Sequence, residues 1–299
     1  MFDQLIAATL LAATPLLLAA LGEIIAERSG TLNLGIEGLL LTGAGAGFTA
    51  AVLTGNGWIG LAAAIAAAMA VGLVFAVVTV WARADQIVAG TSVNLLAIGG
   101  TGAAWAALQA HGLDRLPAGA GFQPVAIPGL PESWASAQIH PLTVLAFAAV
   151  PVLAWLLQRS RIGLIVRAVG EDPSAAAAAG IAVRQWRVGC ILAAAACAGL
   201  AGAWLSLIRT HGFQPGMSAG KGFVVLALVI LGRWRPGWVL AACLGFALVE
   251  SAQQLAQASG AGSGLSWRLF QAAPYAAALL ALAIAGRASR GPAALGKPW

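Results

Sequence analysis

Charge is what this 299-residue sequence has least of. Its 16 Lys and Arg with 10 Asp and Glu make up 9% of the chain, where soluble domains carry roughly 25%. A water-facing surface cannot be assembled from so few charged side chains on a chain that is 60% hydrophobic. That excludes a soluble enzyme, a disordered segment and a nucleic-acid binder. The net charge of +6 is then a topological signal and not a mark of DNA binding. Cysteine is scarce too: Cys190, Cys197 and Cys243 lie in apolar stretches without metal-ligand spacing and read as small buried residues. His111, His140 and His211 are dispersed, which leaves no zinc or triad arrangement. The opening MFDQ carries an acid and no Lys or Arg, so the first apolar stretch reads as a retained helix, not a removable leader.

What is abundant is apolar length. A membrane-crossing helix takes ~20 mostly apolar residues. Apolar stretches run over 5–21, 34–53, 58–81, 87–108, 139–157, 188–208, 222–232, 236–255 and 269–285. The sequence therefore predicts an all-α polytopic membrane protein of about nine segments, forming one transmembrane domain over 1–299. Lys and Arg set the orientation. With the loop 158–187 in the cytoplasm, Arg28, Arg83, Arg159, Arg161, Arg167, Arg184, Arg187, Arg233, Arg235, Arg287, Arg290 and Lys297 fall on that side. Only Arg115, Arg209, Lys221 and Arg268 fall on or near the other. The N-terminus is expected outside and the C-terminus inside. Trp58, Trp81, Trp134, Trp186 and Trp234 fall near the expected interfaces and read as anchors.

The stretch 222–232 is too short. At ~1.5 Å per residue it covers roughly 16 Å, about half of a ~30 Å hydrocarbon core. A Gly/Pro-broken polar run, THGFQPGMSAGK, precedes it. Irregular backbone at membrane depth survives only where protein or a water-filled cavity satisfies it. ERSGTLN at 27–33 feeds into the second stretch in a related way. The two interruptions are five spans apart and so of opposite orientation, which is compatible with an inverted repeat around a central pathway. Neither nucleotide motif stands up. GMSAGKG at 216–222 is one residue short of a phosphate loop and lacks its Ser or Thr. Gly43, Gly45 and Gly47 lie inside a span, where Gly43 and Gly47 serve close helix packing. Any ATP used by this protein is bound on another chain.

The loop 159–187, RSRIGLIVRAVGEDPSAAAAAGIAVRQWR, carries more design than a connector needs. Asp172 can cap a helix that starts at Pro173, the alanines 175–179 propagate it, and Gly180 stops it. A capped helix between cations suggests a docking surface for a cytoplasmic partner. The simpler alternative is a basic helix lying on anionic lipid.

Four segments then carry a family resemblance: ERSGTLNLGIEGLLLTGA (27–44), ADQIVAGTSVNLLAIG (84–99), VRAVGEDPSAAAAAGI (166–181) and SAGKGFVVLALVILGRWRP (218–236). In order and over nearly the whole chain, they resemble permease subunits of ATP-binding-cassette importers for nucleosides and simple sugars, within the branched-chain amino acid and ribose permease family. The resemblance implies that Arg167, Gly170, Glu171, Asp172, Pro173 and Gly180 form the segment coupling to the ATPase. It departs in one respect: family members often carry another acid in the alanine tract. The resemblance also implies partners: a second permease chain, often paralogous, a cytoplasmic two-cassette ATPase holding ATP and Mg, and an external binding protein, often a lipoprotein. No cofactor is then expected on this chain, and its place is the bacterial inner (plasma) membrane.

Polar groups inside spans are costly and default to functional candidates. Thr91 and Asn94 stand at helical spacing, and an amide suits a ribose hydroxyl or a purine edge. Asn94 can equally make an interhelical hydrogen bond. Glu250, with Gln253 and Gln254 beyond it, either lines a pathway or makes such a bond. Glu37 falls in the first turn of the second stretch, with Asn33 as its expected cap, and reads as structural. Lys221 opens the short helix, where the dipole disfavours a cation, so it is expected to snorkel or to meet an acid of the binding protein. Phe213 and Gln214 are placed to stack on and bond a base. The reading is an importer permease subunit. The alternatives are a self-sufficient secondary transporter, for which buried acids are few, and a membrane-embedded enzyme, for which no nucleophile–base pair is present.

Overall fold

The computed structural model describes residues 2–117, 122, 140–258, 272, 275–276, 278–280, 283 and 291–299. These residues form helices and no strand. In chain order they are α1 (Phe2–Arg28), α2 (Ile36–Thr54), α3 (Gly57–Ala76), α4 (Gln86–Ala110), α5 (Pro141–Arg159), α6 (Arg161–Glu171), α7 (Pro173–Ala178), α8 (Val183–Ala203), α9 (Lys221–Leu231) and α10 (Pro236–Ala258). Two of them end in π-helical turns that the sequence did not suggest, α3 over Val77–Trp81 and α8 over Trp204–Arg209.

Among the described residues seven helices are long and apolar enough to cross a membrane: α1 to α5, α8 and α10. With the eleven-residue α9 they account for eight of the nine expected segments. The ninth, 269–285, lies mostly outside the described residues. This is a multi-pass membrane protein.

Local chemistry starts these helices where side chains can satisfy their first N–H groups. Asn56 accepts from Trp58 N at 2.9 Å, Asp85 from Ile87 N and Val88 N at 2.8 and 3.0 Å, and Ser160 from Gly163 N at 3.0 Å. Proline occupies the start of α5 and α7, where its missing N–H costs nothing. The helices then sort by burial. In α1, α2 and α8 72% of the apolar stretch is buried, against 28–33% for α3, α4, α5 and α10. The first three form the centre, and α3, α4, α5, α9 and α10 pack around them. Small residues decide how near they come: a side chain at Gly43 would lie 2.6 Å from Gly199 Cα on α8, and one at Gly202 would strike the Leu40 carbonyl. In lipid, where apolar transfer gives no drive between helices, such close packing is the main source of association.

Candidate functional site

α2 begins with Glu37 in its first turn, and α9 begins at Lys221, 184 positions later. The two helix N-termini meet. Glu37 Oε1 accepts from Ser218 Oγ at 2.6 Å and from Gly220 N at 2.8 Å, while Oε2 accepts from Gly222 N at 2.6 Å. One buried carboxylate thus takes up two backbone donors at the start of α9 and sits at the positive ends of two helix dipoles. Gly220 permits the entry because its φ is +80°. The carboxylate therefore belongs to a second helix besides its own, and nothing near it in sequence announces that.

The backbone leading into α2 is irregular and enclosed, and two side chains of α4 satisfy it. Gln86 Oε1 accepts from Leu32 N at 2.6 Å. Asn94 Oδ1 accepts from Gly38 N at 2.7 Å, and Asn94 Nδ2 donates to Leu34 O at 2.9 Å. Asn33 is not the cap of α2. That position is Gly35, which makes no side-chain capping bond. The Asn33 amide donates instead to Glu23 Oε2 of α1 at 3.2 Å, because residue 33 lies ahead of the helix start and its side chain faces α1. Asn94 is buried and both sides of its amide are engaged in bracing, whereas Thr91 is exposed and bonds back to Ile87 O and Val88 O of its own helix. The pair expected on one face is divided between the interior and the surface.

Lys221 does not snorkel. Its Nζ lies 2.7 Å from Glu250 Oε1 of α10, with each side chain 14% exposed. The nearby carboxylate offsets the adverse dipole at the start of α9. Gln254 Nε2 donates to the same Glu250 oxygen at 3.3 Å, and Arg209 Nη2 donates to Gln254 Oε1 at 3.1 Å. A polar chain therefore runs from the end of α8 through α10 to α9. Gln253 is buried beside it, and Gln214 is exposed. Phe213 is buried among rings, 6.4 Å from Phe48 and 5.8 Å from Trp105 by centroid.

The other end of α9 is tied to α1. Trp234 follows α9, is buried, and donates from Nε1 to Glu27 Oε2, while the Arg28 guanidinium donates to Trp234 O at 3.2 Å. It is an internal strut and not the interfacial anchor expected. Trp58 and Trp81 are exposed as anchors should be, and Trp134 lies outside the described residues.

Beside this junction lies the 159–187 segment. The expected cap is present: Asp172 accepts from Ser174 N at 2.9 Å and Ala175 N at 3.0 Å, Pro173 opens α7, and Gly180 has φ +83°. The loop holds a second helix that the sequence reading missed, α6, whose end presses on α1. A side chain at Gly170 would strike the Arg28 carbonyl. Residues 291–299 seal the same corner, with Ala294 N donating to Gly170 O at 2.9 Å, Ala293 N to Glu171 Oε2 at 3.4 Å, and Arg187 Nη1 to Lys297 O at 2.9 Å. Arg167 bonds within α6, to Gly163 O at 3.2 Å, and with Arg28 and Trp234 lines a cavity of about 420 Å³. Among the described residues no cluster of His, Cys, Asp and Glu is arranged to hold a metal.

A capped helix, a short helix tied at both ends and a carboxylate joining two helix N-termini all lie within residues 5–285, which match the family described as branched-chain amino acid transport system / permease component. The chain belongs to that family. The permease is 37% identical over 256 residues to a putative glucose ABC transporter permease protein of Haloferax volcanii, covering 85% of this chain and 78% of the relative. It is 31% identical to the guanosine ABC transporter permease protein NupQ of Bacillus subtilis, over 99% of this chain and 96% of the relative. It is also 29% identical to NupP, a second guanosine ABC transporter permease protein of that bacterium, over 77% and 68% of the two chains.

Proposed function

We propose that this chain is one of two permease subunits of an ATP-driven importer for a small neutral solute rich in hydroxyl groups, a nucleoside or a simple sugar. The observation that carries this reading is the paired state of the polar groups where α2, α9 and α10 meet. Glu37 is neutralised by helix N-termini and Lys221 by Glu250. Such a region offers hydrogen-bonding groups without a net charge to hold or repel an ion. Asn94, Glu250 and Gln253 stand nearest to it, Asn94 as the brace that keeps α2 in place. Selectivity resides mainly in the external binding lipoprotein, so the permease needs only a sparsely polar route.

The drive enters through α7 and the end of α6, with Arg167, Gly170, Glu171, Asp172, Pro173 and Gly180 forming the surface that meets a cytoplasmic two-cassette ATPase, where ATP and Mg reside. From Gly170 the contact passes to Arg28 and Trp234, and along α9 to Glu37. The second permease is a paralogue, a reading supported by two guanosine permease proteins of one bacterium both resembling this chain. The α6–α7 end faces the cytoplasm of a bacterial cell, placing the N-terminus outside the inner membrane and the C-terminus inside.

In the reconstituted complex, Asp172→Lys combined with Pro173→Gly is expected to abolish substrate-stimulated ATP hydrolysis while the subunits still copurify. Robust uptake by this chain alone in liposomes, with no ATPase present, overturns the reading.

A further inference from the structure

At the end of the molecule opposite α6 and α7 lies a cavity of about 240 Å³ between α1, the start of α5, the π-helical end of α8 and α10. It is linked to the junction of α2 and α9 through the chain Arg209–Gln254–Glu250. His140, Trp204, Arg209, His211 and Gln254 line it, with Leu11 among its apolar residues. Two of these side chains are nearly sealed, Trp204 at 1% and His140 at 4% exposure. Their polar atoms, Trp204 Nε1 and His140 Nδ1, have no hydrogen-bond partner among the described residues. The two rings meet edge to face at 5.4 Å. A buried polar atom left without a partner is costly, so two at one cavity point to a missing occupant.

The chemistry of the wall selects that occupant. Indole N–H and guanidinium are donors only, and an imidazole offers an N–H in either charge state. The Gln254 amide is already spent on Arg209 and Glu250. Among the described residues no carboxylate lines the cavity. A donor-rich wall with a guanidinium and no acid favours an oxyanion. The site lies in the first turns of α1 and at the π-helical end of α8, toward the end of the bundle that meets one leaflet's headgroups when these helices cross a bilayer. Leu11 supplies an apolar side for what is attached.

We propose that this cavity is a phosphate-group site, taking the headgroup phosphate of a phospholipid from the leaflet at that end of the permease. The same donors accept a free phosphate ion, and the test separates the two sources. The purified, delipidated transporter complex containing the full-length chain is melted with sodium phosphate, with sodium chloride at matched ionic strength, and with short-chain phosphatidylglycerol in detergent. Phosphatidylglycerol is expected to raise Tm by several degrees. Arg209→Gln and, separately, Trp204→Phe are expected to shift the half-maximal lipid concentration upward at least tenfold. A rise with phosphatidylglycerol alone assigns the site to lipid, and a rise with both ligands assigns it to the phosphate group whatever its source. No rise in either arm with the unmodified complex overturns the proposal, as do dose curves of both variants that superimpose on it.

Discussion

Gly222 donates its backbone N–H to Glu37 Oε2 at 2.6 Å, and a side chain at Gly222 would lie 2.6 Å from the Glu37 backbone. The hydrogen bond and the missing side chain are one device. A short helix can begin inside the membrane only if its orphan N–H groups find an acceptor. That acceptor reaches them only because residue 222 has no Cβ.

Gly222→Ala is therefore expected to push α9 off Glu37 and to cost about 1–3 kcal/mol, the usual range for forced overpacking. Melting of the purified complex reads this directly. An alanine variant that melts with the parent would show that α9 does not depend on this contact.

Lys221 and Glu250 supply a second test. Glu250→Gln or Lys221→Met alone strands the opposite charge at a site only 14% exposed. Each single change is expected to destabilise more than the two together, with a coupling on the order of 1–3 kcal/mol in a double-mutant cycle. Additive melting shifts would mean that the pair does not hold α9 to α10.

For Asn94, replacement by Leu keeps the bulk but leaves the Gly38 N–H and Leu34 carbonyl without their partner. Each unmet group costs roughly 1–3 kcal/mol when buried. The expected result is loss of assembled complex on size exclusion, before any question of uptake arises. Intact assembly with slowed uptake would instead make Asn94 a contact for the solute.

His140 gives a pH dependence. Burial first, and then the nearby His211 imidazole, hold its pKa below the ordinary value. The unfolded chain takes up this proton at about pH 6.5, while the folded one resists it to lower pH. Its contribution to stability is thus complete above about pH 6.5 and declines as pH falls from there toward the folded pKa. His140→Phe, which keeps a ring against Trp204, is expected to flatten the fall in Tm between pH 7.5 and 5. Parallel profiles for the two proteins would remove His140 as the cause.

Part of the site could be read along the chain because it is local. Asp172, Pro173 and Gly180 lie within nine positions, and capping, a preset φ and a left-handed stop act over that distance. The brevity of α9 was legible for the same reason: its length is countable, and its flanking Gly and Pro are visible. Asn33 shows the opposite case. It looks like a cap by position, yet its amide turns to Glu23 because the backbone has not begun its helix there. Trp234 misled in the same way, since an indole after an apolar stretch suggests an interface until Glu27 is seen against its N–H.

Composition alone determined that this chain lives in a bilayer as helices, because 9% charge cannot solvate 60% hydrophobic residues. Capping signals determined where α7 starts and stops. Tertiary structure decided which carboxylate meets which helix end: Glu37 with α9, Glu250 with Lys221, Glu27 with Trp234. A buried carboxyl group must be hydrogen-bonded or paired by whatever lies within about 3 Å. In a bundle of alanine- and glycine-rich helices that neighbour is set by how closely the backbones pack, not by separation along the chain.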